Sequence, residues 1–278
     1  MQTECLFRSR INTLPFDLRM KIGEIPYQKG MLATSRKNKV LELLKEYNID
    51  FLEVGTGTNR FIIKYDGWAM KIALDKEGIA DNKQEWAISD QLNPNVAYAQ
   101  EISKGGHLLV AQYAPAFTSH SEMYSYASSI KKILSEWSKR YLLGDVGLSK
   151  INYANWGIAS DGRPVCIDYA YIFPASMDLF KCTCGNRALA CDPTFSSYKC
   201  TKCGRKYEDR EIRAKISQED RMRLFENVSG LEMTKPTEMH TVPMEYVKVD
   251  TNPDSPNLYD ASMNVAMRLI NQETSNWY

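Results

Sequence analysis

Two closely spaced pairs of cysteines constrain the fold of this chain more than any other feature of its sequence. Five of the seven cysteines fall within 22 residues, from Cys182 to Cys203. The first pair, Cys182 and Cys184, reads C-x-C-G, and the second, Cys200 and Cys203, reads C-x-x-C-G, with fifteen residues between the pairs. A glycine after each pair lets the backbone turn sharply and aim its amides at thiolate sulfurs. The spacing therefore predicts two knuckles, brought together by a hairpin, that complete a tetrahedral four-thiolate site.

This arrangement resembles the zinc-ribbon family, although its first knuckle is one residue shorter than the common C-x-x-C form. Because four protein thiolates close the coordination sphere, the expected Zn²⁺ is structural rather than catalytic. Cys191 is the fifth thiol, and it is either a loop or packing residue or a replacement for Cys184. A set of unliganded cysteines and a redox C-x-x-C at Cys200 and Cys203 are the alternatives, but no βαβ pattern supports the redox one.

The composition is that of an ordinary globular chain of 278 residues. Lys and Arg number 35 against 34 Asp and Glu, so the net charge points to no acidic partner. No apolar run approaches the roughly 18 residues of a membrane span, and the N-terminus lacks the apolar stretch of a signal peptide. We therefore expect a reducing, cytoplasmic location and no membrane partner, and in that setting clustered cysteines favour a metal over disulfides.

The segment around the cysteines is locally basic. Residues 181–215 carry nine Lys or Arg residues and four Asp or Glu residues, a local excess of five positive charges. Such a segment can contact the phosphates of a nucleic acid or an acidic surface of a protein. A solvated face of a small domain has the same composition, and no aromatic-rich basic stripe indicates nucleic-acid readout. We therefore expect a protein partner ahead of a nucleic acid.

Upstream, the apolar pattern predicts a helix followed by antiparallel strands and a second helix. Residues 36–47 have the period of an amphipathic helix. Strands are predicted at residues 51–54, 61–65 and 68–74, a helix at 80–92, and a hairpin at 96–102 and 108–113. Asp66 and Gly67 are typical of the tight turn between two paired strands.

This order, five strands with one helix after the third, resembles the small lobe of protein kinases and related small-molecule phosphotransferases. The turn VGTGTNRFI has the form G-x-G-x-x-G-x-V, with Gly55 and Gly57 at the first two glycines and Arg60 at the third. The strand WAMKI places Lys71 where the family's lysine pairs with nucleotide phosphates. Glu85, fourteen residues further on and inside the next helix, stands where the family has the partner carboxylate.

A second match lies downstream, in the stretch GDVGLSKINYANWGIASDGRPVCIDYA. Asp145, Asn155 and Asp168 resemble the family's catalytic Asp, its metal-binding Asn and the Asp of its D-F-G motif. The resemblance implies that Asp145 orients or deprotonates an acceptor hydroxyl, and that Asn155 and Asp168 hold Mg²⁺. It also implies that Lys71 neutralises phosphate charge and that amides of the glycine turn cover the phosphates. ATP and Mg²⁺ are therefore the expected cofactors if the protein is active.

The predicted catalytic loop departs from the family pattern. The residues before Asp145 are not the family's His and Arg, and nine residues separate Asp145 from Asn155 where the family has four. At the family's own spacing stands Lys150, and Asn152 is a competing candidate nearer to Asp145. Each of these residues also has an ordinary interpretation. Lys71 is then an exposed strand lysine, Glu85 a solvated helix glutamate and Asn155 a residue that caps its own loop. Asp145 is a turn carboxylate, and Asp168 is a carboxylate at the end of a strand.

The sequence thus predicts an α+β protein with a kinase-like two-lobe fold: a five-stranded antiparallel small lobe, an abbreviated helical large lobe and a zinc ribbon. The predicted parts are an N-terminal arm (1–33), the small lobe (34–114), the abbreviated large lobe with the catalytic-type loop (115–180), the ribbon (181–210), and C-terminal helices with an extended arm (211–278). Further helices are predicted at 121–134, 135–141, 217–227 and 261–271. The two arms are suited to wrapping around a protein partner.

Three functions fit this organisation. The first is an ATP-dependent phosphotransferase acting on an unknown hydroxyl acceptor. The second is a catalytically inactive pseudokinase that serves as a binding or structural module in a larger assembly, and the third is a nucleic-acid-associated zinc-ribbon protein. Abbreviated kinase-like chains of this form are similar to viral and bacteriophage proteins, which extends the expected location to a host cytoplasm or a virion.

Overall fold

The computed structural model describes residues 5–7, 14–25, 33–103, 105–175, 180–208, 211–212, 214 and 216. One large sheet contains β1 (Cys5–Phe7), β2 (Leu52–Thr56), β3 (Arg60–Tyr65), β4 (Trp68–Ala73), β5 (Ala99–Ser103) and β6 (Leu108–Gln112). These strands lie in the order β1-β5-β6-β4-β3-β2, and every neighbouring pair is antiparallel. The five predicted strands are therefore confirmed, and Cys5–Phe7 adds a sixth strand at one edge.

Two helices, α1 (Phe16–Glu24) and α2 (Ala33–Glu46), pack with one face of the large sheet. Their buried residues join alternate residues of β3, β4 and β6 in one core: Leu14, Leu18, Ile22, Val40, Leu44, Phe61, Ile63, Met70, Ile72, Leu108 and Val110. The four-residue spacing of the apolar residues around α1 gives that helix a buried stripe. The described parts of the predicted N-terminal arm are thus an edge strand of the large sheet and a helix packed into its core.

A buried arginine joins α1, α2 and the large sheet. Arg36 lies in α2 and is 1% exposed. Its guanidinium donates to the backbone carbonyls of Ala73 at 2.9 Å and Ile22 at 3.1 Å, and also to that of Ile25. Because the last carbonyls of a helix have no partner within the helix, Arg36 satisfies groups at the end of α1 that would otherwise be buried unpaired.

Helix α3 (Lys76–Leu92) packs against the other side of the large sheet, where Trp86 forms a small buried cluster with Ile102 and Leu109. Beyond the sheet follow α4 (His120–Ser125), α5 (Ala127–Trp137), β7 (Tyr141–Leu143), β8 (Trp156–Ile158), β9 (Pro164–Cys166) and β10 (Ile172–Pro174). Strand β7 pairs with β10 and β8 pairs with β9, both antiparallel. The predicted helix at 135–141 differs from the structure, because α5 ends at Trp137 and Tyr141 begins a strand.

The cysteine-rich segment forms a separate three-stranded antiparallel sheet, which we call the ribbon. Its strands are β11 (Leu189–Cys191), β12 (Ser197–Cys200) and β13 (Lys206–Glu208), in that order. The predicted hairpin is confirmed, since Ala190 lies opposite Lys199. The ribbon shares its core with the preceding part of the chain, because Tyr198 and Tyr207 belong to the same buried cluster as α5 and β7–β10.

The predicted helices at 217–227 and 261–271, and the predicted extended arm between them, lie outside the described residues. Among the residues that the structure does describe, no helix has both the length and the apolar character needed to cross a bilayer. The described residues all belong to a single compact unit, residues 1–235.

Candidate functional site

Helix α3 carries polar side chains in an unusually buried setting. Its buried polar residues are Asp81, Asn82, Gln84, Glu85 and Ser89. Asn82 Nδ2 donates to the carbonyl of Gly106 at 2.8 Å, and Gln84 Nε2 donates to the carbonyl of Ile172 at 2.6 Å. Hydrogen bonds thus hold α3 on one side to the large sheet and on the other to β10. Because buried polar groups are stable only when they are paired, this network fixes the position of the helix.

Lys71 of β4 and Glu85 of α3 form a buried ion pair between Nζ and Oε2. Their side chains are 3% and 0% exposed, so both charges are removed from water. Lys71 Nζ also donates to the carbonyl of Ile167, the residue that precedes Asp168. Removing two charges from water is costly unless both are paired and hydrogen-bonded, and here they are. The structure therefore brings Lys71 and Glu85 together beside the segment that carries Asp168.

A second cation, Arg60, joins the same cluster. Its Nη2 donates to Glu85 Oε1 and to Asp168 Oδ1, both at 2.9 Å, and its Nη1 donates to Asn82 Oδ1 at 3.2 Å. The Arg60 side chain is 6% exposed. One guanidinium thus connects the first residue of β3, helix α3 and the segment after β9.

The charges in this cluster support one another. Partial burial disfavours the ionised form of Asp168, but the positive charges of Arg60 and Lys71 outweigh it and hold the pKa of the carboxyl below its ordinary value. Burial likewise disfavours the charged form of Arg60, and the carboxylates of Glu85, Asp168 and Asp81 raise its pKa above the ordinary value. Asp168 and Arg60 are therefore both charged at neutral pH. The Asp168 side chain remains 44% exposed, so it is open to solvent on one side.

Asn155 connects the Asp145 loop to Asp168. It ends a short 3₁₀ helix, Tyr153–Asn155, and its Nδ2 donates to the carbonyl of Asp145 at 2.6 Å. Its own carbonyl accepts hydrogen bonds from the amides of Ile167 at 2.8 Å and Asp168 at 3.3 Å. Because the side-chain nitrogen is the donor in this contact, the side-chain oxygen is retained as an acceptor.

Asp145 has an uncommon backbone conformation, with a φ of 62°. The left-handed region costs a residue other than glycine roughly 1–3 kcal/mol, and it persists only where the surroundings impose it. The Asn155 side chain holds the carbonyl of Asp145, and Trp156 Nε1 donates to the next carbonyl, that of Val146, at 2.9 Å. Of the competing candidates, Asn152 is 2% exposed within the loop and Lys150 is exposed. Neither lines the cavity described next, and Asp145 and Asn155 do not line it either.

A cavity of about 80 Å³ lies beside the charged cluster. Lys71 and Asp168 line it together with mostly apolar residues from both sides: Val54, Ile62, Ala69, Ala97, Gln112, Tyr113, Ala114, Ala116, Ala154 and Ile167. Residues 112–114, at the end of β6, form part of its wall. The cavity is a narrow apolar slot with an ion-paired lysine and a half-exposed carboxylate in its lining.

The predicted glycine turn differs from the structure at its first residue, because Gly55 lies within β2 beside a register shift in its pairing with β3. Gly57 lies in the turn between the two strands, where its amide donates to the carbonyl of Arg60 at 2.8 Å. A Cβ built on Gly55 would meet nothing within 4 Å, and one on Gly57 would make only an ordinary contact of 3.6 Å. The fold itself therefore does not need glycine at either position. Open space over Gly55 is compatible with the close approach of a ligand to the backbone.

Cys182, Cys184, Cys200 and Cys203 lie together in the ribbon, with their sulfur atoms all within 4.8 Å of one another. The Sγ–Sγ distances are 3.5 Å for Cys182–Cys184, 3.6 Å for Cys182–Cys203 and 3.7 Å for Cys184–Cys200. A tetrahedron with Zn–S bonds of about 2.3 Å has edges of about 3.8 Å. The four cysteines therefore fit a metal ion such as zinc, and Cys191 is not part of this group.

The knuckle glycines have the conformations that their positions predict. Gly185 and Gly204 have φ values of 84° and 75°, in the region that favours glycine. Tyr207 also contributes, because its hydroxyl donates to Cys182 Sγ at 2.9 Å. This bond, together with hydrogen bonds from the backbone of Cys184 and from neighbouring thiols, lowers the pKa of Cys182 to about 5. Cys182 thus favours the thiolate form that a metal ligand requires.

The ribbon lies directly against the loop that contains Asp145. The Tyr198 hydroxyl accepts from the amide of Leu143 at 2.7 Å and donates to the carbonyl of the same residue. The amide of Leu148 donates to the carbonyl of Thr194 at 2.8 Å. A Cβ built on Gly147 would lie 2.3 Å from the carbonyl oxygen of Phe195, so glycine is needed for this close approach. Ribbon contacts thus flank Asp145 on both sides.

A larger groove, of about 460 Å³, lies between the ribbon and the β7–β10 pair. Its lining includes Lys139, Phe173 and Arg187 and contains none of the predicted catalytic residues. We therefore centre the candidate site on the smaller cavity, where the paired charges converge.

Comparison with models of known protein families finds no match to this sequence, and comparison with curated proteins finds none either. The functional interpretation consequently depends on the residues and on their geometry.

Three residues with a place in the site are missing from the sequence-based prediction: Arg60, Cys166 and Tyr198. The Cys166 thiol lies 3.4 Å from the carbonyl of Asn155 and 3.3 Å from that of Asp168, and burial raises its pKa well above the ordinary value. It therefore acts as a neutral donor between two predicted metal-binding residues. Only Arg60 carries a visible signal, since it stands where the family pattern has a third glycine.

Proposed function

We propose that this chain is a nucleotide-dependent phosphotransferase with a kinase-like two-lobe fold. In this proposal the large sheet with α3 is the small lobe, and residues 115–175 with the ribbon form an abbreviated large lobe. The observation that carries it is the convergence of Lys71, Glu85 and Asp168 beside an apolar cavity. Phosphoryl transfer requires positive charge around the phosphates and little covalent chemistry from the protein, and Lys71 and Arg60 supply positive charge here.

The apolar slot is suited to a flat aromatic base. Its walls are mainly alanine and branched aliphatic side chains, and the segment 112–114 borders it. A cavity of about 80 Å³ is smaller than a nucleotide, so binding requires the two sides of the slot to move apart. Closure around a bound nucleotide is common in enzymes that transfer phosphoryl groups.

Asp168 and Asn155 fit a hard cation such as Mg²⁺. Asp168 stays ionised and half exposed, and Asn155 keeps a side-chain oxygen as an acceptor. Carboxylate and amide oxygens are the ligands that Mg²⁺ prefers, and the ion when bound neutralises phosphate charge. Lys71 has the same electrostatic task from the small-lobe side, with Glu85 holding its ammonium group in place.

Asp145 is the residue we propose for orienting or deprotonating the acceptor hydroxyl. Asn155 and the ribbon hold the backbone on both sides of it. Backbone strain of the kind found at Asp145 is enriched at active sites, where a side chain must be aimed in one direction.

We also propose that the metal of the four-cysteine site is Zn²⁺, because a closed set of four thiolates at tetrahedral spacing is typical of structural zinc. Bound zinc would crosslink the two knuckles and stabilise the ribbon. Metal analysis of the purified protein should give about one zinc per chain, lost when Cys200 and Cys203 are both changed to Ser.

ADP release from ATP in the presence of Mg²⁺ tests the phosphotransferase assignment without knowledge of the acceptor, because water can accept the phosphoryl group slowly. Lys71→Ala and Asp168→Asn should each reduce turnover by about a hundredfold or more, the usual loss when a charge that stabilises the transition state is removed. Zinc content and circular dichroism should remain as in the wild type.

The matched control is Lys139→Ala, which removes an exposed lysine from a surface pair with Glu136. It should leave turnover unchanged. Equal turnover in wild type, Lys71→Ala and Asp168→Asn would remove the phosphotransferase assignment.

A catalytically inactive, kinase-like binding module is the second candidate. It is favoured by the departures around Asp145, namely the missing His and Arg and the nine residues before Asn155. This alternative predicts nucleotide binding in the slot without any ADP release.

A further inference from the structure

Arg60 gives the candidate site a cation that the pattern of a glycine-rich turn does not supply. It stands at the position of the third glycine, yet its side chain is buried and turned into the cluster. Its Nη2 lies 2.9 Å from both Glu85 Oε1 and Asp168 Oδ1. One of the two carboxylate oxygens of Asp168, the proposed metal ligand, is therefore already occupied by a guanidinium.

The charge balance of the cluster changes as a result. Lys71, Glu85 and Asp168 alone carry a net charge of −1, and Arg60 brings the four groups to zero. Asp81 is also buried and acts electrostatically on Arg60, so counting it lowers both sums by one. In either count Arg60 removes one unit of the negative charge that would attract a divalent cation.

Resting on the proposed nucleotide site, we infer that Arg60 is a built-in counter-ion for the nucleotide phosphates and makes nucleotide binding nearly independent of divalent metal. A guanidinium presents donors in a fixed fork that suits phosphate oxygens. Arg60 has spare donors for this, because its hydrogen bonds to Glu85, Asp168 and Asn82 use three of the five guanidinium N–H groups.

The position of Arg60 in the chain fits this role. It is the first residue of β3 and directly follows the turn whose amides are proposed to cover the phosphates. The Gly57 amide donates a hydrogen bond to the backbone carbonyl of Arg60. Glu85 and Asn82 of α3 accept hydrogen bonds from the Arg60 side chain. Because these contacts come from rigid elements, the charge is preorganised rather than recruited on binding.

Calorimetric titration with the non-hydrolysable ATP analogue AMP-PNP, in Mg²⁺ and separately in EDTA, tests this inference on the full chain. For the wild type the two dissociation constants should differ by less than about tenfold. For Arg60→Gln, binding in EDTA should weaken by about ten- to a hundredfold, the size expected when a charge-assisted hydrogen bond is lost. Arg60→Lys should recover part of that loss, because it restores the charge but not the fork.

Arg163→Gln is the matched control, since Arg163 forms an exposed pair with Asp161 on the β8–β9 turn. It should bind the analogue as the wild type does. Thermal unfolding and zinc content of each variant show whether the chain is folded. If Arg60→Gln is unstable, Arg60→Lys takes its place in the test, because it keeps the charge and loses the fork.

The outcomes separate this inference from the proposed function. Wild-type binding that requires Mg²⁺ by more than about tenfold overturns the role of Arg60 and leaves the nucleotide site standing. Tighter binding by Arg60→Gln also overturns it, because Arg60 would then compete with the nucleotide for Asp168. Absence of binding in both buffers overturns the proposed function and, with it, this inference.

Discussion

At the scale of single residues, Glu85 is the side chain on which the charged cluster depends. It is fully buried, and each of its carboxylate oxygens holds a different cation, Lys71 through Oε2 and Arg60 through Oε1. The amide of Tyr169 also donates to Oε1, at 3.3 Å. Two buried cations are stable here because one carboxylate faces both.

Glu85→Ala should therefore destabilise the protein by about 3–5 kcal/mol, the usual cost of leaving a buried charge without its partner. Urea unfolding followed by tryptophan fluorescence measures the change. Glu136→Ala is the matched control, because Glu136 pairs with Lys139 at the surface, where both side chains are more than 60% exposed. It should unfold like the wild type. A similar, small effect of both substitutions would contradict the cluster.

At the scale of elements, the ribbon acts as a brace for the Asp145 loop. The Tyr198 hydroxyl satisfies both the amide and the carbonyl of Leu143, and Leu143 is fully buried. On the other side of Asp145, Thr194 accepts from the amide of Leu148. The order of the loop is therefore coupled to the order of the ribbon, and through the ribbon to its four-cysteine cluster.

Tyr198→Phe should leave the four cysteines intact but release residues 143–148. Loss of the hydroxyl leaves a buried amide and carbonyl unpaired, which costs about 1–3 kcal/mol and corresponds to roughly ten- to a hundredfold faster amide exchange. Hydrogen exchange read by mass spectrometry should show this in the peptide that spans the loop, at unchanged zinc content.

Tyr124→Phe is the control for that experiment, because Tyr124 is 57% exposed on α4. Removal of metal with a chelator should produce the same local effect in the full-length protein. If chelation accelerates exchange only within residues 180–208, the ribbon does not brace the loop.

The elements differ in how far the sequence predicts them. The strands of the large sheet and the ribbon hairpin follow from alternation and turn residues, which are local signals. Glu85 and the rest of the polar face of α3 give no such signal, because a buried polar helix and a solvated one have the same pattern until their partners are known. The contact of Tyr198 with Leu143 joins residues 55 positions apart, and no local pattern encodes it.

The same limit applies to the site. The spacing of the four cysteines predicts their cluster, because chemistry requires them to meet. Lys71 and Glu85 are predicted as partners by resemblance and do form a pair. The burial of Arg60 is not predictable from its position in the turn, since it depends on carboxylates from two distant segments.

At the scale of the whole molecule, the described chain is organised around two large buried cores, with a small cluster around Trp86 between α3 and the large sheet. One core joins α1, α2 and the large sheet, and the other runs from α3 and α5 through β7–β10 into the ribbon. The candidate site lies where residues of the large sheet meet those that follow β9. A ligand in the slot would therefore contact both parts at once.

Hydrogen exchange with and without saturating AMP-PNP tests the location of the nucleotide site most directly. We expect slower exchange in the turn at residues 55–60, in the β4 peptide that contains Lys71, in residues 112–114 and in residues 155–168, with little change in the ribbon strands. Protection confined to the ribbon or to the 460 Å³ groove beside it, or no protection anywhere, would contradict the nucleotide site.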